Sequence, residues 1–357
     1  MARELTIASR TIDDLSDCYV IAEVGHNHQG NLETAKKMFA AAKEAGADAV
    51  KLQKRDNRSL FTRALYDKSY DSENAFGPTY GLHREALEFG KKEYEELIAF
   101  TNALGICFFA TAFDCPSADF LADLDMPAYK IASGDLRNLP LLKHVARIGR
   151  PMIISTGGAQ LEHVRRAYDT IMAINPQLAI LQCTAAYPVE WHEIDLDVIA
   201  TYRQEFPDVV VGLSAHDNGI AAPVAAFMLG ARIIEKHFTL NRAMKGTDHA
   251  FSLEPVGMRK MVRDLQRIRI ARGDGRKKVY PCETAPLTKM AKAIVAARDL
   301  PAGHVLTAAD LAYKSPGGGL FPDQADLVLG KTLIRPVAAD QMIRAEDVAA
   351  SGLSRAA

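Results

Sequence analysis

The sequence lacks the features that would direct it to a membrane, a nucleic acid or an oxidising compartment. Its 357 residues contain no run of about 20 apolar residues. The opening MARELTIASRTIDDLSDCYVIAEVG has no positive segment followed by an apolar stretch, so a cytoplasmic protein without membrane contact is expected. Neither charge sign dominates: 43 Lys and Arg stand against 44 Asp and Glu, so no global field draws in nucleic acid or an anionic surface. An anionic ligand must then be held by local cations. The five cysteines, Cys18, Cys107, Cys115, Cys183 and Cys282, are odd in number and have no CxxC spacing. That argues against a disulfide framework and a zinc–thiolate site, and the cysteines read as small core hydrophobes.

What the chain does have is a repeated rhythm. Apolar residues make up 48% of it, enough for a substantial core and, at this length, two domains. Short β-rich runs alternate with longer amphipathic stretches. The expected strands are Tyr19 to Glu23, Ala49 to Gln53, Cys107 to Thr111, Ala128 to Ile131, Met152 to Ser155, Leu178 to Cys183, Val209 to Leu213 and Arg232 to His237. Helical patterns lie between them, such as Leu32 to Asp48, where Gly46 offers a C-terminal stop. This pattern predicts an α/β fold, a closed (β/α)8 TIM barrel ahead of an open doubly wound sheet.

One connection breaks the rhythm. Lys54 to Lys92 is far longer than the usual two to six or so residues of a βα loop, and in a barrel it lies at the catalytic face. Its residues Arg58, Phe61, Arg63, Tyr66, Tyr70, Phe76, Tyr80, His83 and Arg84 suit a lid over a sugar. Further on, RGDGRKKVYPCETAP reads as a linker, and brief apolar pieces separated by turns follow it. The expected organisation is a catalytic barrel over 1–275, a linker over 276–290 and a small β-rich domain over 291–357.

Polar residues at the ends of barrel strands point into the active site, whereas a packed interior favours bulky apolar groups. Here the strand ends carry Glu23; Lys51 and Gln53; Thr111; Lys130 with Ser133 just beyond; Ser155 to Gly158; Cys183 to Pro188; Ser214 to His216; and Glu235 to His237. His216 and His237, at the ends of the last two strands, can bind one divalent cation while water and substrate complete its shell, with Glu23 expected across the mouth. Lys51 and Lys130, with Ser155, Thr156, Gly157 and Ser214, supply ammonium, hydroxyl and N–H groups for a phosphate or carboxylate. Two inward lysines are costly to bury unless an anion offsets them, and an anionic ligand is expected ahead of a structural ion pair.

The motifs EVGHNHQG (Glu23 to Gly30), KLQK (Lys51 to Lys54), YKIASGD (Tyr129 to Asp135), PMIISTGG (Pro151 to Gly158), LQCTAAYP (Leu181 to Pro188), GLSAHDNG (Gly212 to Gly219), EKHFTL (Glu235 to Leu240) and KGTDHAFSLEP (Lys245 to Pro255) occur in that order. Together they closely resemble the N-acetylneuraminate (sialic acid) synthase family, and GPTYGLHREALEF (Gly77 to Phe89) resembles its animal branch. The second domain resembles the antifreeze-like (SAF) domain that follows the barrel in that family.

The resemblance implies an enzyme that condenses phosphoenolpyruvate with N-acetylmannosamine or its 6-phosphate and releases phosphate by C–O cleavage. It implies catalytic roles for Glu23, His216 and His237, with the two histidines as ligands of a divalent metal, manganese first and magnesium or cobalt as substitutes. Lys51, Thr111, Lys130, Ser133, Ser155 and Ser214 match phosphoenolpyruvate-binding positions. Gln53, Tyr187 and Asp248 match positions that contact the amino-sugar acceptor, and Arg63 and Arg84 are candidate contacts for an acceptor phosphate. It further implies a domain-swapped homodimer. Two positions depart from the bacterial pattern: Ala185 stands where those members carry an Asn that touches phosphoenolpyruvate, and Ser315 where they carry an Arg that reaches the acceptor.

Three other readings compete. Synthases of legionaminic or pseudaminic acid share these motifs. A metal-dependent barrel hydrolase would use the HxH of His26 and His28 together with Lys130, His216 and His237, although strands five and six end without the further histidines a binuclear centre needs. A carbohydrate-binding protein on an old barrel would not need Glu23, Lys51, Lys130, His216 and His237 together.

Overall fold

A hairpin of β1 (Glu4–Ile7) and β2 (Arg10–Asp13) opens the chain in the computed structural model, which describes residues 3–349. The sequence reading places no strand before Tyr19. The hairpin arises from a short alternation in which Leu5, Ile7 and Ile12 turn inward.

Eight parallel strands then close a barrel: β3 (Tyr19–Gly25), β4 (Ala49–Lys54), β5 (Cys107–Ala112), β6 (Tyr129–Ile131), β7 (Met152–Ser155), β8 (Leu178–Cys183), β9 (Val210–Ala215) and β10 (Ile233–His237). Each corresponds to an expected strand, shifted at most by a residue or two at its ends. Strands such as β3, β8, β9 and β10 are buried at every residue, because helices cover one face and the barrel interior the other. They therefore appear in the sequence as unbroken apolar runs. Ile153, Ile180 and Ile234 have no exposed surface, and truncating one to Ala would cost about 2–5 kcal/mol.

The covering helices begin and end where their chemistry dictates. Leu32–Glu44 is capped by Asn31, whose side chain accepts from Thr34 N at 2.8 Å. It stops before Gly46, which takes φ +92°, the left-handed region that glycine enters without strain. Cys115–Asp123 is capped by Asp114, which accepts from Ser117 N at 2.7 Å. The last barrel helix, Pro255–Ala271, buries Met258, Met261, Val262 and Leu265. Among the described residues no helix is long and apolar enough to cross a membrane.

The long connection after β4 is an ordered structure with three short helices, Asn57–Leu60, Arg63–Tyr66 and Tyr80–Glu85. Its aromatic residues pack largely on one another: Tyr80 meets Phe61 and Tyr70 edge-on, and Tyr70 lies 4.6 Å from the His83 ring.

The chain divides into two units, Met1–Gly273 and Asp274–Ala357. In the second, the stretch expected as linker carries a helix, Thr284–Met290. Beyond it, β11 (Ala293–Ala296) pairs antiparallel with β12 (Leu311–Lys314), and isolated bridges such as Leu300↔Val337 and Leu333↔Val348 hold the rest around a small core including Ile294, Leu306, Val328 and Ile343. Residues 350–357, the end of the expected second domain, lie outside the described residues.

Candidate active site

At the C-terminal ends of the barrel strands lies a cavity of about 430 Å3. Glu23, Lys51, Gln53, Arg84, Thr111, Lys130, Ser133, Ser155, Tyr187, Ser214, His216, His237 and Asp248 all line it. Arg63 does not: its side chain is 97% exposed and lies beside Asp67. A larger cleft of about 690 Å3 opens at the strand starts, near Tyr19 and Cys107, and contains none of these groups.

Strand register assembles the site. Gln53, Thr111 and Lys130 are consecutive partners across β4, β5 and β6, and Cys183, Ser214 and Glu235 are partners across β8, β9 and β10. Closure of the barrel pairs His237 with Glu23 directly. Glu23 is thus the neighbour of His237 and does not face it across the mouth, as the sequence reading expects, because the first and last barrel strands are adjacent.

The lysines are buried, and carboxylates of the chain itself pair with them, so their burial does not by itself call for a bound anion, contrary to the expectation from the sequence. Lys51 Nζ lies 2.5 Å from Glu23 Oε2 and donates to Thr111 Oγ1 at 2.7 Å. Lys130 Nζ donates to Ser155 Oγ at 2.6 Å. Between the two lysines sits Glu235, with Oε1 at 3.8 Å from Lys51 and 3.7 Å from Lys130. Its other oxygen has no partner. Burial acts to raise the Glu235 carboxyl, yet the pull of Lys130 and Lys51 leaves it below its ordinary value. Burial raises Glu23 above the carboxylate range against the pull of Lys51, and burial lowers Lys130. Glu235 is the main member of the site to which the sequence, although it marks the Glu235 to His237 strand end as polar, assigns no role. Its position two residues before His237, on the same face of the strand, was the available signal.

Gly157 lies close to the lysine side of the cavity, against Ser133 and Ala185. Its N–H donates to Ser133 Oγ at 2.9 Å, and a Cβ there would lie 2.8 Å from Ala185 Cβ and 2.9 Å from Ser133 Oγ. The backbone approach at this point therefore requires glycine.

On the other side stand the two histidines, ring centroids 5.4 Å apart. His216 Nδ1 meets the Thr184 carbonyl at 2.9 Å, which fixes the tautomer and leaves Nε2 as a lone-pair donor. His237 Nδ1 is buried without a hydrogen bond, 3.8 Å from Asp248 Oδ2. Burial, with His237 nearby, pushes His216 down to about 3, and burial pushes His237 down to about 4, so both rings are neutral near pH 7. Two neutral imidazoles, one with an orphaned nitrogen, fit a divalent cation whose remaining ligands come from water and substrate. Among the described residues no group of three or more His, Cys, Asp or Glu side chains is gathered for a metal. Tyr187 packs over it, 4.2 Å from the His216 ring.

His26 and His28 go elsewhere. His26 Nε2 lies 3.1 Å from Arg55, and His28 stacks on Phe89 and accepts from Gly30 N. Neither lines the cavity, so the binuclear centre of a barrel hydrolase does not form. Arg55, which the sequence reading also does not single out, lines the cavity, donates to Gln53 Oε1 at 2.7 Å and stacks on Phe113. Arg84 bonds only to neutral groups, Tyr80 and His26, and no ion pair involves it among the described residues.

A closed barrel whose strand ends bring two buried lysines and two neutral histidines into one cavity has the form of a barrel enzyme. The chain belongs to the NeuB family, whose model matches residues 38–277, and a SAF domain matches 291–349. It is 39% identical to the N-acetylneuraminate-9-phosphate synthase of Mus musculus over 93% of this chain and 92% of that protein. It is 36% identical to the N,N'-diacetyllegionaminic acid synthase of Legionella pneumophila over 88% of this chain and 90% of the other. The crystal structure of a sialic acid synthetase from Leptospira borgpetersenii in complex with citrate superposes with a TM-score of 0.70 at 31% identity, covering 80% of this chain and 95% of that one. The protein is accordingly an enzyme of the phosphoenolpyruvate-dependent condensing transferases, a family of metal-dependent synthases.

Proposed function

We propose that the chain condenses phosphoenolpyruvate with N-acetylmannosamine or its 6-phosphate, giving a sialic acid and inorganic phosphate. The observation that carries this reading is the meeting, in one cavity, of the Lys51 and Lys130 cradle with the His216 and His237 pair. Lys51, Lys130, Thr111, Ser133, Ser155 and Ser214 hold the phosphate and carboxylate of phosphoenolpyruvate by charge-assisted hydrogen bonds. Gln53, Tyr187 and Asp248 orient the open-chain sugar with its aldehyde beside the histidines.

A divalent cation held by His216 and His237, with manganese as our assignment, supplies Lewis acidity toward a carbonyl oxygen. The methylene carbon of phosphoenolpyruvate forms the new bond to the aldehyde carbon, whose oxygen takes up a proton. Water adds at the carbon that bears the phosphate, and its C–O bond then breaks, leaving the keto acid and phosphate. Glu23, 2.5 Å from Lys51 and 2.7 Å from the Gln53 amide, stands between the two substrate subsites and is placed to hold or pass the proton.

The acceptor phosphate is favoured by Arg84, a cavity-lining guanidinium paired only with neutral groups, with Arg55 behind it. The similarity to an N-acetylneuraminate-9-phosphate synthase supports the same choice. A homodimer, in which the stretch from Tyr313 to Phe321 approaches the partner's cavity, belongs to the proposal, and Tyr313 and Phe321 are each 49% exposed.

The test is phosphate release with phosphoenolpyruvate and manganese against N-acetylmannosamine, its 6-phosphate, mannose and a diacetamido-trideoxy-hexose. We expect turnover that requires phosphoenolpyruvate and an N-acetylmannosamine-type acceptor, and that chelator abolishes. Preference for the diacetamido sugar would move the assignment to the legionaminic or pseudaminic type. Phosphate release without an acceptor would defeat it.

A further inference from the structure

Strand β10 ends Glu235, Lys236, His237, and successive side chains of a strand point to opposite faces. Glu235 and His237 face the cavity, so Lys236 points out of the barrel interior, where it is 1% exposed. Its partner there is Asp217, also 1% exposed: Nζ lies 2.6 Å from Oδ1 and donates as well to the Asp217 backbone carbonyl. Asp217 directly follows His216. The contact therefore runs from the residue before one histidine to the residue after the other.

The backbone explains why such a link is needed. The ladder between β9 and β10 ends at Lys236↔Ala215, and His216 lies just past the last residue of β9. Each histidine is held against its outer neighbour: His237 is in register with Glu23, and its carbonyl accepts from Leu253 N at 2.8 Å, while the His216 carbonyl accepts from Val189 N at 3.3 Å. These contacts hold each histidine singly; across the pair, Tyr187 and Phe251 pack against both rings without a polar anchor between them. The Lys236–Asp217 contact spans the gap that the ladder leaves.

Stability alone is a poor reason for this pair. Two ions removed from water lose hydration that their attraction repays only with full hydrogen bonding, and apolar residues of similar volume often serve a core as well. Asp217 Oδ2 has no partner, so the pair is not even fully satisfied. A fixed geometry accounts for it better.

We propose that Lys236 and Asp217 are positioning residues that set the separation of His216 and His237 and thereby the affinity for the divalent cation. The inference rests on the reading that these histidines hold the cation. The double variant Lys236→Met/Asp217→Leu removes both charges together and leaves neither ion unpaired. Manganese is titrated into the metal-free full-length protein by calorimetry, and the melting temperature of the metal-free protein is read in parallel.

We expect the double variant to bind manganese about 10- to 100-fold more weakly, as loss of a supporting partner does, with melting within a few degrees of the parent. Lys236→Arg, which keeps the charge-assisted contact, is expected to bind within about threefold of the parent. Unchanged affinity in the double variant overturns the proposal. So does a double variant that fails to fold or melts far lower, since the pair is then structural, and so does a Lys236→Arg protein as weak as the double variant. His216→Ala in the parent separates the two readings. If it still binds manganese as the parent does, the histidine assignment fails; if it loses binding while the double variant does not, only the clamp fails.

Discussion

Lys51 and Glu23, side by side on β4 and β3, form an ion pair of 2.5 Å in which the two side chains are 2% and 1% exposed. Removing one partner of such a pair leaves an uncompensated buried charge, at a cost of up to about 3–5 kcal/mol, reduced where Glu23, already raised by burial, takes up a proton. Lys51→Met should therefore lower stability by that order in urea unfolding, and Glu23→Gln on the same background should recover part of it. Turnover should stay lost in both, because the cradle has lost its ammonium. If the second substitution brings no recovery, the pair is not coupled as the geometry indicates.

Lys130 tests the anion cradle more directly. Its charge-assisted contacts are each worth about 1.5–3 kcal/mol, so Lys130→Met should lower kcat/KM for phosphoenolpyruvate by roughly 10- to 150-fold. Initial rates with either substrate varied should show a much smaller rise in KM for the sugar. Equal weakening toward both would contradict the assignment of the cradle to phosphoenolpyruvate.

Gly157→Ala places a methyl 2.8 Å from Ala185 Cβ and 2.9 Å from the Ser133 hydroxyl, which accepts from the Gly157 N–H. The added carbon must displace this strand end. We expect weaker binding of phosphoenolpyruvate, read by isothermal titration, with the fold retained in circular dichroism.

The barrel strands were legible because strands buried on both faces read as continuous apolar runs, and the polar residues that interrupt them, such as Lys51, Lys130 and His237, stand out. What the sequence could not supply was adjacency through barrel closure, which makes Glu23 the neighbour of His237. Nor could it say which loop cation turns inward: Arg63 and Arg84 look alike in the sequence, yet only Arg84 lines the cavity. Glu235 and Lys236 were visible as part of a polar strand end but carried no assigned role, because an alternating strand end distributes three polar residues in a row between two environments. The β1–β2 hairpin escaped notice because its alternation is too short to stand out.

In the second unit, Asp310 accepts from Thr307 N at 2.9 Å, Thr307 Oγ1 at 2.7 Å, His304 Nε2 at 2.9 Å and Arg298 at 2.6 Å. The hydrogen bonds from His304 and Thr307 hold its carboxyl well below the usual range. A carboxylate so lowered stabilises the fold fully above its unfolded value, about 3.9, and that stabilisation fades as pH falls toward the native value. Hydrogen exchange on the full chain should therefore show amides of the second unit losing protection as pH drops below about 4. In Asp310→Asn that pH dependence should flatten, and protection should be lower at neutral pH. An unchanged profile would remove Asp310 from the account.

Arg84 and Arg63 offer the sharpest test of the acceptor. Arg84 lines the cavity and bonds to Tyr80 and His26, whereas Arg63 lies outside the cavity beside Asp67. If the acceptor carries a phosphate, Arg84→Gln removes one charge-assisted contact to it, worth about 1.5–3 kcal/mol. The ratio of kcat/KM for N-acetylmannosamine 6-phosphate to that for N-acetylmannosamine should then fall by roughly 10- to 150-fold. Arg63→Gln should leave the ratio alone, since an exposed ion pair contributes about 0–1 kcal/mol and does not reach the site. Competition between the two acceptors in one reaction reads the ratio directly. A ratio that Arg84→Gln does not move would take the phosphate away from Arg84 while leaving the condensation itself intact, because the cradle and the histidines do not depend on that guanidinium.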